Sequence, residues 1–265
     1  MTFTAKLTGE ILSLADKVRP GDTVYVISDL MRLMALSRTE GETFDRNEML
    51  SLLQEKVTEE GTLLIPAFNW DFCKGKGFDI RKSPSQTGAL GNAALARTDF
   101  QRTKHPIYSF LVWGRLGDML LSADPPNAFG KGSIFDLLDE QRAKALVIGL
   151  NATDGLTFIH HVEQMTGVPY RYEKIFTAPY TDAEGNTSEK KYSMYVRDLE
   201  KDPRYLDSYA ELEALLAACG ASETKTLHGI PVSVVDLHAS FPVFRDDILH
   251  NDSRLLYRYH GQRTD

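Results

Sequence analysis

The amino-acid sequence predicts an α/β fold: one domain over residues 1–265, with a central mixed β-sheet and helices on both faces. Three observations predict it. Short runs rich in Val, Ile and Leu, at 23–27, 62–65 and 145–148, have the length and composition of strands buried on both sides. Segments with helical spacing of apolar residues stand between them, as a layered sheet requires. Beyond residue 170 the pattern turns to paired strands around short polar turns, which makes the sheet mixed.

Leu7, Ile11, Leu14 and Val18 recur at helical spacing and mark an N-terminal helix, broken by Pro20-Gly21-Asp22. The first strand follows at 23–27. A helix is expected over 45–57 with Met49, Leu52 and Leu53 inward, then a second strand at 62–65 ended by Pro66. Residues 67–84 read as a long loop rich in aromatics, Gly and Lys; loops of this length in compact domains are usually functional or mobile. Ser85 is expected to cap a short helix through Leu95. A strand spans 107–113, and a helix opens over 133–138. The strand at 145–148 leads through a polar turn, 151–155, into a helix that carries His160. Strands at 171–178 and 190–197 flank the hairpin signal Asp182-Ala183-Glu184-Gly185-Asn186. A helix over 206–218 ends at Gly220, strands at 225–228 and 232–236 flank Gly229-Ile230-Pro231, and the stretch 237–251 is helical.

Composition narrows the class. Apolar residues make up 42% and charged residues 25% of the 265, enough for a sizeable core. The net charge of −7, from 37 acidic and 30 basic residues, argues against nucleic acid as a partner, because phosphate binding wants a basic face. The two cysteines, Cys73 and Cys219, stand far apart and form no disulfide framework or metal-binding CxxC. The N-terminus lacks the layout of a signal peptide, and no apolar run approaches a membrane span. The expected setting is the cytoplasm, without a membrane partner.

The most informative stretch is Thr157-Phe158-Ile159-His160-His161-Val162-Glu163. Residues three apart are helix neighbours, so Thr157, His160 and Glu163 share one side. An imidazole there sits near the C-terminal end of a strand, where α/β proteins place their sites. It is able to take up a proton near neutral pH. Spacing alone also fits a structural histidine. Gly130-Lys131-Gly132-Ser133 offers flexible backbone, a cation and a helix start, a combination suited to phosphate, although the spacing is not that of a Walker A loop. Ser133 followed by Asp136 resembles a capping box. Pro106 keeps His105 extended, either lining a site or ordering the turn. Cys73 beside Lys74 is a weak nucleophile candidate. Asp71, Asp79 and Glu163 are carboxylates able to receive an ammonium group.

Taken in order, these segments resemble the aminoglycoside 3-N-acetyltransferase family, which has the antibiotic N-acetyltransferase fold. The matching residues are Arg19-Pro20-Gly21-Asp22 with its strand, Gly61-Thr62-Leu63-Leu64-Ile65-Pro66, and Phe78-Asp79. They continue through Pro84-Ser85-Gln86-Thr87-Gly88-Ala89-Leu90, Arg102 with His105-Pro106 and Ser109, Gly130 to Ser133, and Thr157-x-x-His160-x-x-Glu163. The resemblance covers roughly residues 5–200. It implies acetyl transfer from acetyl-coenzyme A to an amine, without a metal. His160 is then the catalytic histidine with Glu163 beside it. The coenzyme site is assigned to Ser28 and Asp29, Ser109, and Lys131, Gly132 and Ser133; the acceptor to Asp71, Asp79 and Thr157; supporting roles to Arg102 and His105. The expected partners are acetyl-coenzyme A and a small amine, an aminoglycoside or related amino sugar. Where members often carry His-Ser-Ser after the first strand, this chain reads Ile27-Ser28-Asp29 and adds a carboxylate. Two other classes stay open: a metal-dependent hydrolase using His160, His161 and Glu163, and a binding protein that keeps the fold without the chemistry.

Overall fold

Alternate residues of the central strands point into different cores. Val24, Val26, Leu63, Ile65, Leu146 and Ile148 pack with Leu7, Ile11, Met49 and Leu53 on one side. Tyr25, Ile27, Leu64, Ala145 and Val147 pack with Phe135, Phe158 and Phe244 on the other. This two-sided burial is the physical meaning of the unbroken apolar runs.

The computed structural model describes residues 1–200, 204–205 and 209–259. The chain begins with α1 (Phe3–Leu14), β1 (Thr23–Ser28), α2 (Met31–Thr39), α3 (Arg46–Val57), β2 (Thr62–Pro66), β3 (Phe78–Asp79) and α4 (Ala89–Leu95). It continues with β4 (Gln101–Arg102), β5 (Phe110–Gly114), α5 (Gly117–Ser122), α6 (Ile134–Glu140), β6 (Lys144–Ile148) and α7 (Phe158–Thr166). Then come β7 (Arg171–Thr181), β8 (Thr187–Arg197), β9 (Arg204–Tyr205), α8 (Ala210–Ala218), β10 (Ser222–Leu227), β11 (Ile230–Asp236), α9 (Leu237–His250) and β12 (Arg258–Tyr259).

The main sheet is seven-stranded, in the order β10-β11-β6-β1-β2-β5-β4. β1 pairs parallel with both β2 and β6, while β11 and β5 flank this trio antiparallel. The sheet is therefore mixed, with helices on both faces. The long hairpin β7–β8 does not extend it; with β3 it forms a separate three-stranded sheet. β3 and a short 3₁₀ turn at Phe72–Lys74 give structure to the stretch that reads as loop from sequence.

Other differences have local causes. α2 buries only Leu33 and Ser37, so its apolar periodicity is faint. α5 is six residues long with Leu120 alone buried. α4 opens after Gly88 rather than at Ser85: Gly88 takes φ 115°, and a Cβ on Gly91 would lie 2.3 Å from the Pro66 carbonyl oxygen, so the helix seats directly on the end of β2. β5 starts at Phe110, because residues 105–108 form a turn in which the Tyr108 amide donates to His105 Nδ1 at 3.2 Å. His228 and Gly229, at φ 50° and 75°, make the two-residue turn between β10 and β11, one position earlier than expected. α8 begins at Ala210; residues 206–208 of the helix expected over 206–218 lie outside the described residues.

Candidate active site

The chain leaves β1 toward β2 on one side and returns to β6 on the other, so the strand order reverses at β1. Open α/β sheets bind their ligands in the crevice at such a point. A cavity of about 350 Å³ opens there. Its walls are Tyr25, Ile27 and Ser28 of β1, Ile65 and Pro66 of β2, Thr87, Leu90 and Gly91 around α4, and Phe68, Trp70 and Tyr108 from loops. Leu150, Gly155, Thr157 and His160 close the remaining side. Among the described residues lining the cavity, no side chain but the imidazole of His160 is ionisable near neutral pH.

Backbone geometry delivers His160 to this place. Gly149 takes φ 81°, and a Cβ there would meet the Asp29 carbonyl oxygen at 2.3 Å, so the exits of β1 and β6 are pressed together. The following turns are held by Asp154 N to Asn151 O and Leu156 N to Thr153 O. Glu213 of α8 braces them from behind, one carboxylate oxygen accepting from both the amide and the hydroxyl of Thr153 at 3.0 and 2.9 Å. α7 then buries Phe158, Ile159 and Val162, leaving Thr157 and His160 at the cavity wall and Glu163 in the interior.

The imidazole and carboxylate form a tight pair. His160 Nδ1 lies 2.7 Å from Glu163 Oε2. The Glu163 side chain is fully buried, whereas that of His160 is 31% exposed. Arg171 Nε lies 2.8 Å from the same Glu163 oxygen as an ion pair. The Tyr257 hydroxyl donates to Glu163 Oε1 at 2.9 Å, and Arg171 Nη2 donates to the Tyr257 oxygen at 2.9 Å. Burial pushes the Glu163 carboxyl upward, but His160, Arg171 and Tyr257 outweigh it and hold it at about 2. Burial, then the Arg171 charge, hold His160 below the usual imidazole range in spite of Glu163. A carboxylate at Nδ1 requires the proton on that nitrogen, so Nε2 carries the lone pair. The ring of Phe129 backs the imidazole edge-on at 5.4 Å.

A family model described as aminoglycoside 3-N-acetyltransferase matches residues 31–246. The chain belongs to the aminoglycoside 3-N-acetyltransferase family. By membership it is an acyltransferase that uses acetyl-coenzyme A. Solved structures share its fold. The aminoglycoside acetyltransferase AAC(3)-Xa is 19% identical, with a TM-score of 0.75 over 92% of each chain. AAC-IIIb, solved as a binary complex with CoASH, is 19% identical with a TM-score of 0.76 over 100% of this chain and 99% of its own. The YokD protein of Bacillus subtilis is 20% identical, with a TM-score of 0.73 over 96% of each chain. No curated protein matches the chain in sequence.

The structure gathers only some of the residues that the family resemblance singles out. Ser28, Thr157 and His160 line the cavity, with Glu163 directly behind. Asp29 follows Ser28, but its carboxylate accepts from the Met31 amide at 2.9 Å and serves the start of α2. Ser109 is fully buried and bridges Arg102 Nε and the Ala67 carbonyl, both at 2.8 Å. Arg102 also donates to the carbonyls of Ser83 and Ala67 and lies over the Phe78 ring, so it ties the long loop to β4. His105 is buried and orders the turn that aims Tyr108 at the cavity; burial holds its pKa down to about 4.

The Gly130–Ser133 segment serves α6. Ser133 caps that helix, Asp136 Oδ2 accepts from the Gly132 amide at 2.7 Å, and Lys131 Nζ lies 3.1 Å from Asp136 and 2.6 Å from Glu140. The amide and the ammonium that suggested a phosphate site are thus paired within the protein. Asp71 is paired with Lys74 and Lys76, and Asp79 with Arg81 and Lys82; the hydrogen bond from Arg81 holds Asp79 at about 2. Burial pushes the Cys73 thiol up to about 11, which suppresses the thiolate.

His161 is turned away from His160: its Nδ1 donates to the Phe129 carbonyl at 2.6 Å, and the residue is buried. His160, His161 and Glu163 therefore do not converge as a ligand set, and among the described residues no group of three or more His, Cys, Asp or Glu side chains is placed to hold a metal ion. No described helix is long and apolar enough to cross a membrane. Sequence reading missed Arg171, Tyr257, Trp70 and Tyr108. Arg171 opens a strand that was legible, but nothing local marks its partner; Tyr257 is 94 residues from Glu163.

Proposed function

We propose that the chain transfers the acetyl group of acetyl-coenzyme A directly to an amine of an aminoglycoside or related amino sugar, with His160 as general base. The observation that carries this reading is the 2.7 Å contact between His160 Nδ1 and a fully buried carboxylate, on a histidine that opens into the cavity. An amine attacks a thioester only when it is unprotonated. Nε2 takes a proton from the amine as its nitrogen bonds to the acetyl carbonyl carbon. The carbon–sulfur bond then breaks, and the leaving thiolate takes the proton from the imidazolium. The products are the amide and the coenzyme thiol, and the imidazole returns neutral. Alignment of the two substrates supplies much of the remaining acceleration.

The cavity suits the coenzyme's pantetheine arm, which is uncharged and partly apolar. Its walls combine Ile27, Ile65, Pro66, Phe68 and Leu90 with a few polar groups, among them Ser28, Thr87 and Thr157. Among the described residues no Lys or Arg lines it, so the coenzyme phosphates are expected outside. The family description and the AAC(3) enzymes with the same fold support an aminoglycoside acceptor. The test is release of coenzyme thiol from acetyl-coenzyme A in the presence of a panel of aminoglycosides and simpler amino sugars. Thiol release matched by N-acetylated product supports the reading; silence across the panel with demonstrable coenzyme binding would favour a binding protein that has lost the chemistry.

A further inference from the structure

Resting on the assignment of His160 as base, we infer that Arg171 and Tyr257 are positioning residues that keep Glu163 ionised but charge-balanced, so that His160 waits as a free base and gives up its proton readily. A lone carboxylate behind an imidazole stabilises the imidazolium and would keep such a base protonated. Here the carboxylate is shared. Glu163 Oε2 faces both His160 Nδ1, at 2.7 Å, and Arg171 Nε, at 2.8 Å. Oε1 is taken by the Tyr257 hydroxyl, which also accepts from Arg171 Nη2. The Arg171 side chain is only 8% exposed, and Nη1 is anchored on the Tyr195 carbonyl. Carboxylate and guanidinium thus cancel within a buried cluster. Adding a proton to His160 leaves that cluster with an uncompensated positive charge, which burial disfavours.

Groups on other elements do not reverse this. Tyr170 ahead of β7, Tyr195 of β8 and Tyr209 ahead of α8 face Glu163, and all are held neutral, first by burial and then by its negative charge. Asp154 in the loop before α7 acts on Tyr209, and Arg197 lies 5.0 Å over the Tyr257 ring. The consequence for transfer is directional. The imidazolium formed during amine attack is opposed by Arg171, so the proton passes on to the departing thiolate instead of resting on the enzyme. Tyr257 lies beyond the span 31–246 of the family match, so the segment after α9 completes the environment of the base.

The test is a histidine NMR titration of the whole chain, with the His160 resonance assigned by its loss in His160→Ala, run beside the pH profile of kcat/KM. Arg171→Met should raise the His160 midpoint by about one unit and move the acidic limb of the profile with it. Tyr257→Phe deletes one hydroxyl without loss of volume, and it carries the test should Arg171→Met not fold. It frees a lone pair on Glu163 and should raise the midpoint by about half a unit. Arg171→Lys should restore the parent midpoint. A midpoint unchanged in the charge-removing variant, or in Tyr257→Phe where that variant does not fold, overturns the inference whatever the activity does. A midpoint that rises while the acidic limb stays fixed removes His160 from the base role and leaves the charge balance standing.

Discussion

In the proposed transfer His160 moves one proton, and its surroundings are consistent with that role. Nδ1 is committed to Glu163, Phe129 fixes the ring plane, and Nε2 remains for the substrates. Loss of a general base typically costs about 10²–10⁴ in rate. His160→Ala is therefore expected to lower kcat/KM by at least about a hundredfold. Coenzyme affinity and thermal midpoint should stay near the parent values, which isothermal titration and calorimetry would check. Glu163 behaves differently, because it is both partner and buried charge. Replacing it with Gln leaves Arg171 without its counter-ion, at a cost of about 3–5 kcal/mol in a urea unfolding measurement. Its depressed pKa sets a pH window as well. The carboxylate's stabilising contribution is complete above the ordinary value of 4.5 and is lost as pH falls toward about 2. Parent stability should decline through that window, and Glu163→Gln should lose this part of the slope. The Thr157-x-x-His160-x-x-Glu163 relation was legible because it spans the N-cap and first turns of one helix, where spacing fixes geometry. Arg171 and Tyr257 were not, because folding brings them in from another strand and from the segment past α9.

At the scale of elements, the cavity wall at Leu150, Gly155 and Thr157 is carried by the loop between β6 and α7, which buries Ala152, Thr153 and Leu156. Its brace is the double contact from Thr153 to Glu213 of α8. Glu213→Leu should loosen that wall, raising KM for acetyl-coenzyme A several-fold with kcat nearly unchanged. Glu213→Gln, whose amide oxygen accepts the same two bonds, should preserve KM; equal KM in both variants would make the brace irrelevant to the site. The glycine-rich segment before α6 gives the opposite expectation. Lys131 is held by Asp136 and Glu140, so Lys131→Met should leave coenzyme KM unaltered in low-salt kinetics. A rise would mean that the ammonium exchanges its carboxylates for phosphate. The buried strands were readable from continuous apolar runs. α2 and α5 escaped because short, largely exposed helices carry almost no periodic signal. The glycines and lysine near 131 read as a phosphate cradle because sequence shows charges but not their partners.

For the molecule as a whole, the parallel trio β6-β1-β2 makes the crevice, and the antiparallel flanks β11 and β5 leave it at the centre of the sheet. The layers, a mixed sheet with helices on both faces, were legible in the alternating strand and helix patterns, which have few compact solutions; the strand order was not. The separate β7–β8 sheet was not legible either, because a hairpin's local pairing does not say which sheet it joins. The cavity and the buried His160–Glu163–Arg171–Tyr257 cluster together support the proposed reading, in which a thioester and an amine meet at one free imidazole. The most direct measurement is a single turnover with labelled acetyl-coenzyme A and an aminoglycoside, following acetyl on coenzyme, protein and product in the parent and in His160→Ala. The expected result is loss from the coenzyme matched in time by N-acetylated acceptor, no acetyl on the protein, and a rate at least about a hundredfold lower without the imidazole. An acetyl group on Cys73 that goes on to acylate the acceptor, or a His160→Ala rate within a few-fold of the parent, would contradict it.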